Sequence, residues 1–318
     1  MLKGLFILNT DAYRKIYGPD ERDEIGRLVD ICAAQQTAES VQEDLSLLSE
    51  VDVILSGWGM ATMDQAFLDA APNLQAVFYG AGSIKYFVTD AFWDRGVVVT
   101  SAYAANAIPT GEFTLSQILF CLKRGWAHVQ LVKEKRRFAY LPVAGAYQST
   151  VGIISLGMIG RHVVELLRPF DVHVIASTSN EDKAARLGVE PCSLDEVFRR
   201  ADVVSLHTPW LPQTEGMITG AHFEMMKPHA CFINTARGAV VRQAEMIEVL
   251  KRRPDLFAVL DVTYPEPPAP DSPLYTLPNV VLTPHIAGSM DDECRRMGRI
   301  VVDELERYLA GEPLHWEI

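Results

Sequence analysis

Three side chains in the second half of the chain could share one reaction. The run "FINTARG", Phe232 to Gly238, reads as a buried strand that releases Arg237 at its carboxyl end. Arginine is suited to two-point capture of a carboxylate. The run "LDVTYPEP" ends a strand at Asp261 and holds Glu266 in a stiff proline-bounded loop, where a fixed carboxylate could orient a base. The run "LTPHIAG" presents His285 after Pro284 at another strand end. Imidazole is matched to proton transfer near neutral pH. Singly, each also fits a structural role: a surface ion pair, a solvated loop acid, a packed histidine. Together they could bind an anion and move a proton.

A fourth piece is "SLGMIG", Ser155 to Gly160, just after the apolar "VGII". It approximates the G-x-G-x-x-G turn that holds a dinucleotide between a strand and a helix. Gly157 and Gly160 supply the close backbone approach and the tight helix packing. Ser155 stands where the first glycine would be, and its Cβ penalises a turn with positive φ. A helix from about Met158 to Leu167 would offer free N–H groups and a positive dipole end to phosphate. An acid normally ends the next strand and holds the ribose 2′-hydroxyl. Here Thr178 follows "HVIAS" instead. Glu181 and Asp182 read as the first turn of a helix.

The elements that must position these residues alternate along the chain. Strand-like runs "GLFILN", "VDVILSG", "LQAVFYG" and "VVVTS" are separated by helical patterns such as "MDQAFLDAA". A long helix is expected from Pro109 to Arg124, with the proline near its start. The alternation resumes with "TVGIIS", "DVHVIAS", "DVVSLH", "ACFINT", "FAVLDV" and "VVLT", and a helix from about 290 to 309 closes the chain. The four prolines between 265 and 270 exclude regular helix or a central strand there. Such alternation predicts parallel α/β sheets. The length of 318 residues suits two doubly wound domains, with ligands in a cleft beyond the strand ends.

Composition narrows the partners. The net charge of −12 argues against a nucleic-acid surface, and "KEKRR", Lys133 to Arg137, reads as a solvated helix face. The five cysteines have no C-x-x-C spacing, which predicts reduced thiols in a cytoplasmic protein. Cys121 and Cys231 lie in apolar stretches and suit core packing. No metal site is expected. No apolar run reaches membrane-spanning length, and the first residues read as a strand rather than a signal peptide.

With "VGIISLGMIG", "ADVVSLHTPWLPQTEGMI", "FINTARGAVV", "DVTYPEP" and "LTPHIAG" in this order, the chain resembles the D-isomer-specific 2-hydroxyacid dehydrogenase family. The resemblance covers the whole length and is strongest from Thr150 to Gly288. It implies a Rossmann nucleotide-binding domain, 104–288, inserted into a flavodoxin-like substrate domain, 1–103 and 289–318. It implies hydride transfer between NAD or NADP and C2 of a small 2-oxo or 2-hydroxy acid. Arg237 would bind substrate, Glu266 would pair with the catalytic residue, and His285 would be the general acid/base. Ser155, Gly157, Met158, Ile159, Gly160, Thr178, Thr208, Pro209, Thr235, Ala236, Arg237, Asp261, His285 and Gly288 would line the cofactor. In "YGAGS", Tyr79 to Ser83, backbone N–H groups around Ala81 and Gly82 would meet the substrate carboxylate. The substrate-domain loop "LSGWGMAT" carries Trp58 and no Arg or Lys, with Lys85 the nearest basic side chain past "YGAGS", so an unphosphorylated acid is expected. A cytoplasmic homodimer through the nucleotide-binding domain is implied. The alternative is a dinucleotide-sensing corepressor of the same fold, which binds peptides. Formate dehydrogenases pair their histidine with glutamine, which weakens that third reading. Ser155 and Thr178 depart from the family pattern and leave the choice between NAD and NADP open.

Overall fold

A computed structural model describes all 318 residues. The chain divides into two compact units, residues 1–106 with 289–318, and residues 107–288.

The first unit holds a five-stranded sheet of β1 (Lys3–Ile7), β2 (Asp30–Ile31), β3 (Val53–Ser56), β4 (Ala76–Tyr79) and β5 (Val98–Ser101). Its order is β2-β1-β3-β4-β5, and every pairing is parallel. This is the flavodoxin-like order. The strands β3 and β4 are buried along their whole length, as a sheet covered on both faces requires. Part of the cover is the closing helix Arg295–Ala310, whose Met297, Val301, Val302 and Leu305 join the core of this unit.

The second unit holds β6 (Ser149–Ile154), β7 (Val172–Ser177), β8 (Glu190–Pro191), β9 (Val203–Leu206), β10 (Cys231–Asn234), β11 (Phe257–Leu260) and β12 (Val280–Leu282). The order β12-β11-β10-β9-β6-β7-β8 is wholly parallel and reverses direction between β6 and β9, as in a Rossmann sheet. Two cores flank it, one built around Phe198, Phe223 and Phe232, the other around Ile118, Ile153, Val163 and Ile233.

The register sets the strand ends in one row. Ser177 pairs with Ile154, Ile154 with Leu206, Leu206 with Asn234, Asn234 with Leu260, and Leu260 with Leu282. Six consecutive loops therefore leave the sheet at the same level.

Some boundaries differ from expectation. The long helix is Tyr103–Leu122, so Pro109 lies inside it rather than near its start. The proline removes a single helical N–H, while Ala105 and Ala107 on the preceding turn are buried and favour helix. The run 133–137 straddles a helix end: Gly125–Lys135 stops at Arg136, whose φ is +50°, and all five residues are exposed. The two-residue edge strands β2 and β8 carry too little pattern to be read from sequence.

Candidate active site

Four loops from the row of strand ends carry the candidate chemistry. The loop after β11 carries Glu266 and the loop after β12 carries His285. His285 Nδ1 lies 2.6 Å from Glu266 Oε1, with both side chains a little over two-fifths exposed. The second oxygen, Oε2, accepts from the Thr263 N–H at 3.4 Å, and Glu266 sits between two cis bonds, Tyr264–Pro265 and Glu266–Pro267. The carboxylate is thus held from both sides, and the imidazole keeps Nε2 for another partner.

Asp261 fixes the histidine loop. It is buried, and its Oδ1 accepts from Thr283 Oγ1 at 2.6 Å and from Ile286 N at 2.8 Å. Its Oδ2 accepts from Ala287 N at 2.9 Å, and its backbone carbonyl accepts from His285 N at 3.0 Å. These bonds hold His285 at a φ of +55°, a conformation a non-glycine residue adopts only when its surroundings impose it. Thr283 is a partner that sequence reasoning missed, although a hydroxyl two residues before the histidine was visible.

Arg237 stands exposed in the loop after β10, with Nη1 donating to the Ala236 carbonyl at 2.6 Å. Asn234 builds this turn: Oδ1 accepts from Ala236 N at 2.9 Å, and Nδ2 donates to the Arg237 carbonyl at 3.1 Å. An asparagine ending a strand is the local signal that could have found it. Gly238 follows because a Cβ there would lie 2.0 Å from the Thr263 carbonyl carbon. The arginine turn is therefore seated against the segment that leads to Glu266. Thr235 is buried and bonds through Oγ1 to Thr114 Oγ1 on the long helix, 3.0 Å away.

The loop after β6 forms a cradle. Ser155 has a φ of +76°, so the serine adopts the backbone that a glycine would take without strain. A Cβ on Gly160 would sit 2.2 Å from the Ser155 carbonyl oxygen, which explains the glycine at the helix start. The helix Met158–Leu167 begins at Gly157 with no side-chain cap. A Cβ on Gly157 would approach only Ser155 Oγ, at 3.9 Å, so the space beside this turn is open. An anion fits there, and Arg161, whose Nε bonds the Gly157 carbonyl at 3.2 Å, adds a cation that sequence reasoning did not single out.

The remaining candidates line the neighbouring loops. Thr178 follows β7, and its Oγ1 accepts from Asn180 N at 3.2 Å. Glu181 and Asp182 open the helix Glu181–Leu187. Thr208 and Pro209 follow β9, and Gly288 ends this unit. Beside them His207 is buried, with Nε2 2.9 Å from Ser205 Oγ and Nδ1 without a partner. Burial lowers its pKa to about 4. A hollow of about 430 Å³ lies elsewhere, against Gly220, Glu224, Glu245, Glu248 and Arg252. Its acids are held by Gly220 N, Arg242, Lys251 and Arg252, so it has the character of a helix groove.

Ala81 and Gly82 belong to the first unit, in the loop after β4. Ser101 Oγ lies 2.9 Å from the Ala81 carbonyl and 2.6 Å from that of Gly82. With the carbonyls engaged, the N–H groups are the ones left to receive an anion. A Cβ on Gly82 would meet nothing within 4 Å.

The family model described as the NAD binding domain of D-isomer specific 2-hydroxyacid dehydrogenase matches residues 115–287. D-3-phosphoglycerate dehydrogenase of Archaeoglobus fulgidus is 30% identical over 258 residues, 79% of this chain and 48% of that protein. The chain spans about half the length of the phosphoglycerate dehydrogenases it matches. Human glyoxylate reductase/hydroxypyruvate reductase is 32% identical over 264 residues, 80% of each chain. Among solved structures, the NAD complexed form of D-isomer specific 2-hydroxyacid dehydrogenase from Lactobacillus delbrueckii ssp. bulgaricus superposes with a TM-score of 0.83 at 21% identity, over 99% of both chains.

Proposed function

The chain belongs to the D-isomer-specific 2-hydroxyacid dehydrogenase family, and on that premise we propose that it moves a hydride between a nicotinamide dinucleotide and C2 of a small 2-oxo or 2-hydroxy acid. The observation that carries the reading is the Glu266–His285 pair at 2.6 Å, on strand ends level with the arginine turn and the uncapped glycine cradle.

The bound dinucleotide supplies or accepts the hydride. Ser155, Gly157, Met158, Ile159 and Gly160 would hold its phosphates, Thr178 a ribose, and Thr208, Pro209, Thr235, Ala236, Asp261 and Gly288 the rest. Arg237 would bind the substrate carboxylate. Within the first unit, the N–H groups around Ala81 and Gly82 are proposed to receive a carboxylate. In reduction the carbonyl oxygen gains negative charge. Protonated His285 donates to it from Nε2, while Glu266 holds Nδ1 and stabilises the imidazolium. Arg237 stabilises the same developing charge. In oxidation neutral His285 takes the hydroxyl proton at Nε2.

The substrate we favour is small or apolar-tailed. The loop after β3 offers Trp58 and Met60, and no Lys or Arg lies between β3 and β4. A panel of 2-oxo acids with NADH and NADPH tests this. Glyoxylate, hydroxypyruvate or an apolar 2-oxo acid should be turned over. A higher kcat/KM for 3-phosphohydroxypyruvate than for every unphosphorylated acid would reject the substrate class, and no turnover of any would reject the reaction.

The finer expectations are proposals of the same kind. The exposed Phe138, Tyr140, Val143 and Tyr147 form an apolar arm on the second unit, which supports a homodimer there. Sedimentation at twice the chain mass is the expected result. Five free thiols and the absence of any helix long and apolar enough to cross a membrane fit the cytoplasm, which imaging of a tagged chain would test.

A further inference from the structure

Away from the candidate active site, at the opposite end of β10, two thiols face each other. Cys121 Sγ on the helix Tyr103–Leu122 lies 2.7 Å from Cys231 Sγ, the first residue of β10. The residues are 110 positions apart and both are buried, Cys121 at 7% and Cys231 at 3% exposure. A disulfide bond is about 2.05 Å long, so the sulfurs need only a small shift to bond. A narrow cavity runs to them, with room for about one water-sized molecule, lined by both cysteines and by Arg124, Trp126, Phe257 and the exposed His229.

The two elements also lie in register. The helix residue Thr114 meets Thr235 at the site end of β10. From Thr114 to Cys121 is two helical turns, about 10 Å. From Thr235 back to Cys231 is four strand residues, about 13 Å. The helix therefore runs antiparallel beside β10, tied by hydroxyls at one end and facing with thiols at the other. Neither cysteine takes part in the proposed reaction.

We propose that Cys121 and Cys231 are an oxidation site, which a hydroperoxide closes to an intrachain disulfide. Cys121, the more open sulfur, attacks one oxygen of hydrogen peroxide. The O–O bond breaks, one water leaves, and a sulfenic acid forms on Cys121. The Cys231 sulfur then attacks the Cys121 sulfur. The S–O bond breaks, and the departing hydroxide takes the Cys231 proton as a second water. Two thiols are oxidised, and both peroxide oxygens are reduced to water. Burial pushes the Cys231 thiol up, which disfavours Cys231 as the first sulfur to meet the peroxide. The bond closes a long loop and locks the helix onto the strand that leads to Arg237.

The test uses the full chain, reduced, freed of reductant and exposed to hydrogen peroxide. The protein is then alkylated in denaturant and digested without reductant. Mass spectrometry should find a Cys121–Cys231 linked peptide that dithiothreitol removes and that Cys121→Ser lacks. In Cys231→Ser, dimedone should trap a sulfenic acid on Cys121 that the wild type does not accumulate. The melting temperature of the wild type should rise on oxidation, and that of Cys121→Ser should not. Peroxide that oxidises the exposed Cys32 while Cys121 and Cys231 both stay open to alkylation would overturn the proposal.

Discussion

His285 commits one ring nitrogen to Glu266 and has one left, Nε2, for a substrate oxygen. His285→Ala is expected to lower kcat for reduction by ~10²–10⁴-fold, the range for a positioned acid. Near-normal turnover would remove it from the mechanism. Glu266→Gln should lower kcat for reduction, because an amide placed at 2.6 Å from Nδ1 no longer fixes the ring with a carboxylate. An unchanged kcat would count against the pairing. The proposed weak cofactor discrimination rests on Thr178. Its hydroxyl is engaged by Asn180 N and carries no charge to repel a 2′-phosphate. Steady-state kinetics should show NADH and NADPH separated by less than ~100-fold in kcat/KM, under ~2.8 kcal/mol. Thr178→Asp should shift preference toward NADH. A wild type already more than ~1,000-fold selective for NADH, or about 4 kcal/mol, would assign that role to another residue.

The strand is the element that gathers the site, and its reading from sequence was uneven for physical reasons. The runs that become β3, β4, β6, β9, β10 and β11 are legible because both faces are covered, so each is mainly apolar. The candidates Arg237 and Glu266 follow such runs, and His285 follows the half-buried β12. Thr283 is not legible, since its bond closes only when neighbouring loops meet, whereas the bonds of Asn234 close within its own turn and leave a local signal. Ser155 shows the converse: the sequence marks a misfit, and the φ of +76° shows that the backbone keeps the glycine geometry regardless, at a cost of about 1–2 kcal/mol. His207, at the end of β9, yields an element-scale prediction. Its folded pKa of about 4 lies below the ordinary 6.5, so the unfolded chain takes up the proton first. Its contribution is fully present above pH ~6.5 and is lost as pH falls toward 4, by at most about 3 kcal/mol. Denaturant midpoints of wild type and His207→Gln should therefore converge on acidification from pH 7 to 4.5. A gap that stays constant would show that His207 titrates normally or is protonated in the fold.

At the scale of the molecule, the first unit is assembled from both ends of the chain. The closing helix Arg295–Ala310 supplies core residues to it, and Gly298 packs so closely that a Cβ would lie 2.1 Å from the Ile16 carbonyl oxygen. Buried Glu304 in the same helix accepts the N–H groups of His315 and Trp316 at 3.0 Å. Truncation after Gly288 should leave residues 107–288 as a protease-resistant core and open residues 1–106 to digestion. Equal resistance of both segments would show that the closing helix is dispensable. This shared construction also governs how the protein is made. On a ribosome the strands β1, β3 and β4 emerge early, yet the helix that covers them is still unsynthesised. At roughly 5–20 residues per second, the 212 residues after Asn106 take on the order of 10–40 s to appear. A nascent apolar sheet must therefore be shielded from aggregation until the closing helix is made.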